Sequence, residues 1–123
     1  MKPHIQFLKR GDGVRLAYSV FGEGPPLVVT SPWVSNLALS FEDPFFMNFW
    51  NELSKSCTIV LYDKHGCGQS DRGRKVFDTD SELLDVQTVI EHLRLNDLVL
   101  FGNSMAGPIS IIYAAQNQKK LAI

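Results

Sequence analysis

Apolar positions along the chain switch between two spacings, and each switch marks an element boundary. Residues 5–8 and 14–20 carry short strand-like runs. Between them lies Gly11-Asp12-Gly13, where glycine's access to positive φ suits a hairpin turn. Gly22-Glu23-Gly24-Pro25-Pro26 then interrupts the chain. Residues 27–30 follow as an apolar run, as a strand covered on both faces requires. From Asp43-Pro44 the spacing becomes helical, with proline in the first turn and Phe46, Phe49 and Trp50 on one face. Residues 57–62 read as another buried strand. Beyond a polar, glycine-rich stretch, Thr79 and Glu82 have the spacing of a capping box, and the helix they open aligns Leu83, Val86, Ile90 and Leu93. Residues 98–101 predict a further buried strand, and a last helix is expected from about residue 105 to 117.

The resulting order, β-β-β-α-β-α-β-α, predicts an α/β fold. A hairpin start feeds a mostly parallel sheet with helices on both faces. Residues 1–123 are read as one domain, since this length supports one core and is too short for two. In such sheets chemistry collects at the carboxyl ends of the strands, which directs attention to the loops there. Composition narrows the function classes. With 45% hydrophobic and 20% charged residues the chain is that of a folded domain. A net charge of −1 and scattered cations argue against nucleic acid as a partner. The densest basic cluster, Arg72, Arg74 and Lys75, is read as a solvated edge. No apolar run is long enough to span a bilayer, and the first residues lack an apolar leader core, so neither membrane insertion nor secretion is expected. Cys57 and Cys67 read as reduced thiols, which makes the expected location cytoplasmic. No Cys/His spacing suits a metal, and no cofactor is expected.

The chemistry-bearing motif follows the strand at 98–101 directly: Gly102-Asn103-Ser104-Met105-Ala106-Gly107 leads into the last helix. A strand turning at once into a helix brings two backbones together. The positions two before and two after the serine must therefore be small, and Gly102 and Ala106 meet that need. This is the arrangement of a G-x-S-x-G nucleophile elbow with Ala106 in place of the last glycine. It would hold Ser104 in a strained conformation with its hydroxyl raised at the sheet edge, near the positive end of a helix dipole. The Met105 N–H would then face a developing oxyanion.

Two other stretches extend the pattern. Asp63-Lys64-His65-Gly66-Cys67-Gly68-Gln69-Ser70-Asp71 is similar to the D-x-R-G-x-G-x-S-D loop of the α/β-hydrolase fold family, with His65 where arginine is usual. Asp12 to Tyr18 with Gly22 to Val28 resembles the start of the same family. The likeness is greatest to hydrolase domains found joined to nucleotide cyclase or helix-turn-helix regulatory modules. Three motifs in order cover essentially the whole chain, so the resemblance implies a partial α/β-hydrolase fold. It also implies a role for Trp33, which falls at the second oxyanion-donor position after the strand at 27–30, with Ser31-Pro32 replacing the usual His-Gly. In the family the elbow serine works with an acid and a histidine that follow it. Residues 105–123 contain no Asp, Glu or His. The resemblance therefore implies the N-terminal part of a hydrolase domain, with the lid, the acid and the histidine missing. Residues 121–123 would then begin the next strand.

Other candidates reduce to structural readings. His65 leaves the sheet on the active-site side but is most simply bonded to nearby backbone or to Asp63. His92 shares a helix face with Asp85 and Thr88, which places it in solvent, and His4 sits near the terminus. Gly66-Cys67-Gly68 lacks both the third glycine and the adjoining helix of a dinucleotide site. Of the aromatic residues, those at helical spacing are read as core, with Phe41 and Trp33 as the pocket-lining pair. The expected function is ester or amide hydrolysis of a small-molecule substrate through an acyl-enzyme on Ser104, inactive in this chain alone. The alternative is a non-catalytic binding or regulatory half-domain that pairs with another chain. In either case the strand at 98–101 would present an exposed sheet edge open to self-association.

Overall fold

The computed structural model describes residues 3–122; Met1, Lys2 and Ile123 lie outside the described residues. Five strands form one sheet in the order β1-β2-β4-β3-β5. They are β1 (Gln6–Lys9), β2 (Arg15–Gly22), β3 (Pro26–Val29), β4 (Thr58–Tyr62) and β5 (Val99–Phe101). β1 and β2 form the expected hairpin, and β2 runs antiparallel to β4. From β4 through β3 to β5 the sheet is parallel, as expected where helical crossovers join the strands.

Alternation along the strands sorts side chains onto the two faces. Leu27, Ile59 and Leu61 join Phe21, Met47 and Trp50 beneath α2 (Pro44–Ser54). Val28, Val60 and Tyr62 point the other way. They pack with Leu83, Val86 and Ile90 of α3 (Thr79–His92) and with Ile109 and Tyr113 of α4 (Ala106–Gln116). Helices thus cover both faces, and the continuous apolar runs of β3 and β4 are explained by burial on each side. A short helix, α1 (Leu37–Ser40), precedes α2 and was not legible in the sequence, being only four residues long.

Four local expectations change. Asp78, not Thr79, caps α3: its carboxylate accepts from Ser81 N at 2.9 Å, which leaves Thr79 as the first helical residue. Glu82 is engaged elsewhere, 2.7 Å from Lys64 Nζ and 2.8 Å from Arg74 Nη1. Arg74 is therefore no solvated cation; its side chain is 7% exposed and its guanidinium lies over the Phe77 ring. Asp85 faces inward at 1% exposure, although His92 on the same helix is exposed and meets Tyr18 edge-on.

At the far edge, Leu121 bridges Leu98 in parallel. Leu98 N donates to Lys120 O at 3.0 Å, and Ala122 N donates to Leu98 O at 2.9 Å. A single bridge thus forms beside β5 at Leu121, the first of the residues 121–123 read as the start of the next strand; Ile123 lies outside the described residues. The bridge covers Leu98, so the open part of the edge is shorter than the sequence implied.

Candidate active site

The parallel pairing of β3 with β5 sets the base of the site. Thr30 N donates to Phe101 O at 3.0 Å, so the two strands stay in register up to the point where each leaves the sheet. β5 then breaks at Gly102, and α4 begins at Ala106. Between them Ser104 has φ +55°, the left-handed region that L side chains with a Cβ enter at a cost of about 1–2 kcal/mol. The turn is closed by Ala106 N and Gly107 N donating to the carbonyls of Asn103 and Ser104, each at 3.0 Å. Ser104 and Met105 are exposed, whereas Ala106 is buried. The backbone bend expected at Ser104 is present, and the residue at its tip is exposed. Met105 is the N-cap residue of α4, at the end where amides lack intrahelical acceptors and the helix dipole is positive.

Gly102 is small because the elbow is tight. A Cβ there would lie 2.5 Å from Ser110 Oγ, 2.9 Å from Ser110 Cβ and 3.1 Å from Ala106 O. Ser110 is itself fixed, with its hydroxyl 2.7 Å from Thr30 Oγ1 and 2.9 Å from Ala106 O. A buried hydroxyl pair therefore ties α4 to the end of β3 directly below the elbow.

The loop carrying Trp33 is anchored by a different group. Asp63, fully buried at the end of β4, accepts from Ser35 Oγ at 2.6 Å, Leu37 N at 3.2 Å and Gln69 N at 2.9 Å. One carboxylate thus joins the loop after β3 to the loop after β4. Gly68, at φ +52°, sits so close that a Cβ would collide with the same carboxylate. Ser70 completes the motif: its hydroxyl donates to Asp63 O at 2.5 Å and accepts from Ala17 N at 2.8 Å. Through Asp63, Gln69 and Ser70 the stretch 63–71 ties the loops after β3 and β4 to β2. His65 is held as well; its N donates to Asp85 Oδ2 at 2.8 Å, and its Nε2 is 3.3 Å from Arg72 O. Trp33 is 68% exposed.

Two cavities flank the elbow. One, of about 380 Å³, reaches from Asn103, Ser31 and Pro32 to Phe45, Phe46, Phe49, Trp50 and Phe101. The other, of about 330 Å³, runs between Trp33, Met105, Lys64, Arg74 and Phe77. The aromatic assignment made from spacing holds only in part: Trp50 is a core residue and Trp33 lines a cavity as expected, but the rest changes. Phe46, Phe49 and Trp50 line a cavity, whereas Phe41 is buried against Phe21 at 6.4 Å between ring centres. Trp33 lines the second cavity. Among the described residues no cluster of His, Cys, Asp or Glu could hold a metal ion, and no helix is long and apolar enough to cross a membrane.

A mixed sheet covered by helices, with a strained serine where the parallel edge strand β5 turns into a helix, defines the core of an α/β-hydrolase. The comparisons agree. The family model described as alpha/beta hydrolase fold matches residues 33–122, and the chain belongs to that family. It is 33% identical over 113 residues to the AB hydrolase superfamily protein YisY of Bacillus subtilis (strain 168), covering 91% of this chain and 40% of that protein. It is 25% identical over 107 residues to a soluble epoxide hydrolase of Corynebacterium sp. (strain C12), covering 87% and 35%. Among solved structures, an esterase from Exiguobacterium antarcticum superposes with a TM-score of 0.77 at 26% identity, over 94% of this chain and 42% of that one. The chain therefore spans 35–40% of the length of these two curated relatives.

Proposed function

We propose that this chain carries the nucleophile and oxyanion donors of a serine hydrolase acting on esters, amides or related bonds of small molecules. Ser104 Oγ would attack the substrate carbonyl, and the amides of Met105 and Trp33 would receive the developing oxyanion, each such donor typically contributing about 10²–10³ in rate. The supporting observation is the φ of +55° at an exposed serine between β5 and α4. Left-handed strain at a non-glycine residue persists only where surrounding structure imposes it, and such residues cluster at active sites. The hydroxyl proton needs a base. His65 is bound to backbone on a neighbouring loop, and residues 105–123 supply no Asp, Glu or His. The acid and base are proposed to lie outside residues 1–123, with the chain inactive by itself and cytoplasmic in location.

Fluorophosphonate labelling followed by peptide mass spectrometry tests the reading. Slow modification at Ser104, abolished in Ser104→Ala, is expected, and faster modification once a downstream segment bearing the acid and histidine is joined to the chain. Equal labelling of wild type and Ser104→Ala would refute it. The second reading, a non-catalytic half-domain that pairs with another chain, is favoured by the open outer edge of β5, where Val99 is 46% exposed. No labelling even with the downstream segment joined would favour it.

A further inference from the structure

The cavity on the Asn103 side of the elbow has a composition that specifies what it can hold. Its walls are aromatic and mutually braced. Trp50 meets Phe49 at 4.8 Å and Phe101 at 5.3 Å between ring centres, both edge-on, and Phe46 closes on Trp50 at 6.2 Å. Three different elements contribute them: α2, the end of β5 and, through Val29, β3. The polar groups at the rim are neutral hydroxyls and an amide. No Lys, Arg or His lines the space, and Asp43 is the one charged residue among those that do. Its carboxylate caps α2 by accepting from Phe45 N at 3.0 Å, so the charge is fixed beside the mouth.

We infer that this cavity is a specificity subsite that takes an uncharged aromatic or branched-alkyl substituent of the substrate and turns anionic substituents away. The inference rests on the reading of Ser104 as the nucleophile, since the cavity opens at the residue next to it. Size supports the assignment. An apolar cavity of roughly 150 Å³ holds benzene, so about 380 Å³ admits a ring together with a short arm leading to the elbow. Charge supports it as well. A carboxylate entering the space would lose its hydration, find no cation, and lie near a second carboxylate.

Two ligands that differ in charge separate the possibilities: methyl phenylacetate, which is neutral (the ester), and its 4-carboxylate derivative (the anion), which carries a carboxylate on the same ring. Each is titrated into the ¹⁵N-labelled chain, in wild type and in Ser104→Ala, and followed by NMR. The ester is expected to shift the amides of Phe46, Phe49 and Asn103 and the Trp50 indole saturably. The anion is expected to bind at least about tenfold more weakly, as unpaired charge burial requires. Asp43→Asn keeps a capping side chain and should narrow the gap between the two ligands. Phe49→Ser, at a half-exposed position, should weaken the ester about fivefold or more. Equal affinity for ester and anion, shifts centred on another surface, or no saturable shift would overturn the inference. Ester binding in a chain whose Ser104 resists fluorophosphonate supports the cavity assignment and counts against the nucleophile alone. Labelling of Ser104 without ester binding counts against the cavity alone.

Discussion

Arg10 and Asp85 are separated by 75 positions in sequence, yet Arg10 Nη1 lies 2.7 Å from Asp85 Oδ1, with the side chains only 7% and 1% exposed. The pair joins the β1–β2 hairpin to the middle of α3. Asp85 also accepts from His65 N at 2.8 Å, so the same carboxylate holds the loop after β4 against that helix. The loop in turn carries Gln69, which bonds Asp63, which bonds the Trp33 loop. A chain of buried and partly buried polar contacts thus runs from the hairpin to the loop of the proposed oxyanion donor.

Removing Arg10 would leave the Asp85 carboxylate buried with only a backbone amide for company. Loss of one partner from a buried pair typically costs about 3–5 kcal/mol. Arg10→Ala is therefore expected to reduce unfolding free energy by that amount, read from urea midpoints at constant slope. Replacing both partners by apolar residues of similar size should cost much less than either single change. A loss under about 1 kcal/mol for Arg10→Ala would mean the pair is not closed in solution.

Asp12, on the hairpin turn, responds to pH through the same arginine. Its hydrogen bond from the Arg10 guanidinium holds its carboxyl down to about 2, against an ordinary value of 3.8. A depressed folded-state value stabilises the fold at pH above 3.8, and the contribution is lost as pH falls from there through 2. Asp12→Asn should flatten the acid limb of the stability curve across that window by lowering stability at neutral pH toward the level wild type reaches in acid, and the drop should be small because the group is 53% exposed and screened by solvent. Denaturant midpoints taken between pH 5 and 2 provide the comparison. An unchanged acid limb would show that another carboxylate governs it.

How much of this was legible beforehand follows from the range of the interaction concerned. The strands were readable because burial on both faces leaves unbroken apolar runs such as Leu27-Val28-Val29. The elbow was readable because close backbone approach demands small residues at fixed distances from Ser104. Both signals are local. The Arg10–Asp85 contact leaves no local trace, since nothing near either residue announces the other. Asp78 and Thr79 are neighbouring cap formers, and the sequence could not rank them. The aromatic cavity was misassigned because helical spacing reports which residues share a face. It does not report whether that face is filled. Phe46, Phe49 and Trp50 do share one, but beside β5 it encloses space.

Gly102 and Ser110 compete for one volume. Gly102→Ala places a methyl 2.5 Å from Ser110 Oγ, and the hydroxyl cannot yield without breaking its contacts to Thr30 and Ala106 O. Overpacking of this kind costs about 1–3 kcal/mol. Adding Ser110→Ala removes the nearest contact and leaves the 2.9 Å approach to Cβ, so the double variant should recover part of the loss. A double-mutant cycle measures it, with a favourable coupling of about 1 kcal/mol expected. Strict additivity would mean that the elbow opens to admit the methyl.

The outer edge of β5 should govern association. Val99 is 46% exposed there and Ile111, on the adjoining face of α4, is 71% exposed. Open edges with apolar neighbours recruit further strands. Sedimentation is expected to show concentration-dependent self-association, reduced in Val99→Lys. If the lysine variant associates as strongly as wild type, contact runs through another surface.

The strain at Ser104 gives the last expectation, and it opposes function to stability. Serine at φ +55° costs about 1–2 kcal/mol that glycine does not incur. Glycine gives back part of this through the greater freedom of its unfolded chain, about 0.5–1 kcal/mol. Ser104→Gly should therefore raise the melting temperature by an amount equivalent to roughly 0.5–1 kcal/mol, while Ser104→Ala, which keeps its Cβ, should leave it near wild type. Ser104→Val should fall below both, because β-branched residues are least tolerant of left-handed backbone. Calorimetry of the three variants gives the ranking. Should glycine prove no more stable than alanine, the bend at 104 is relaxed in solution, and a hydroxyl mounted on a relaxed turn would lose the fixed aim on which nucleophilic attack depends.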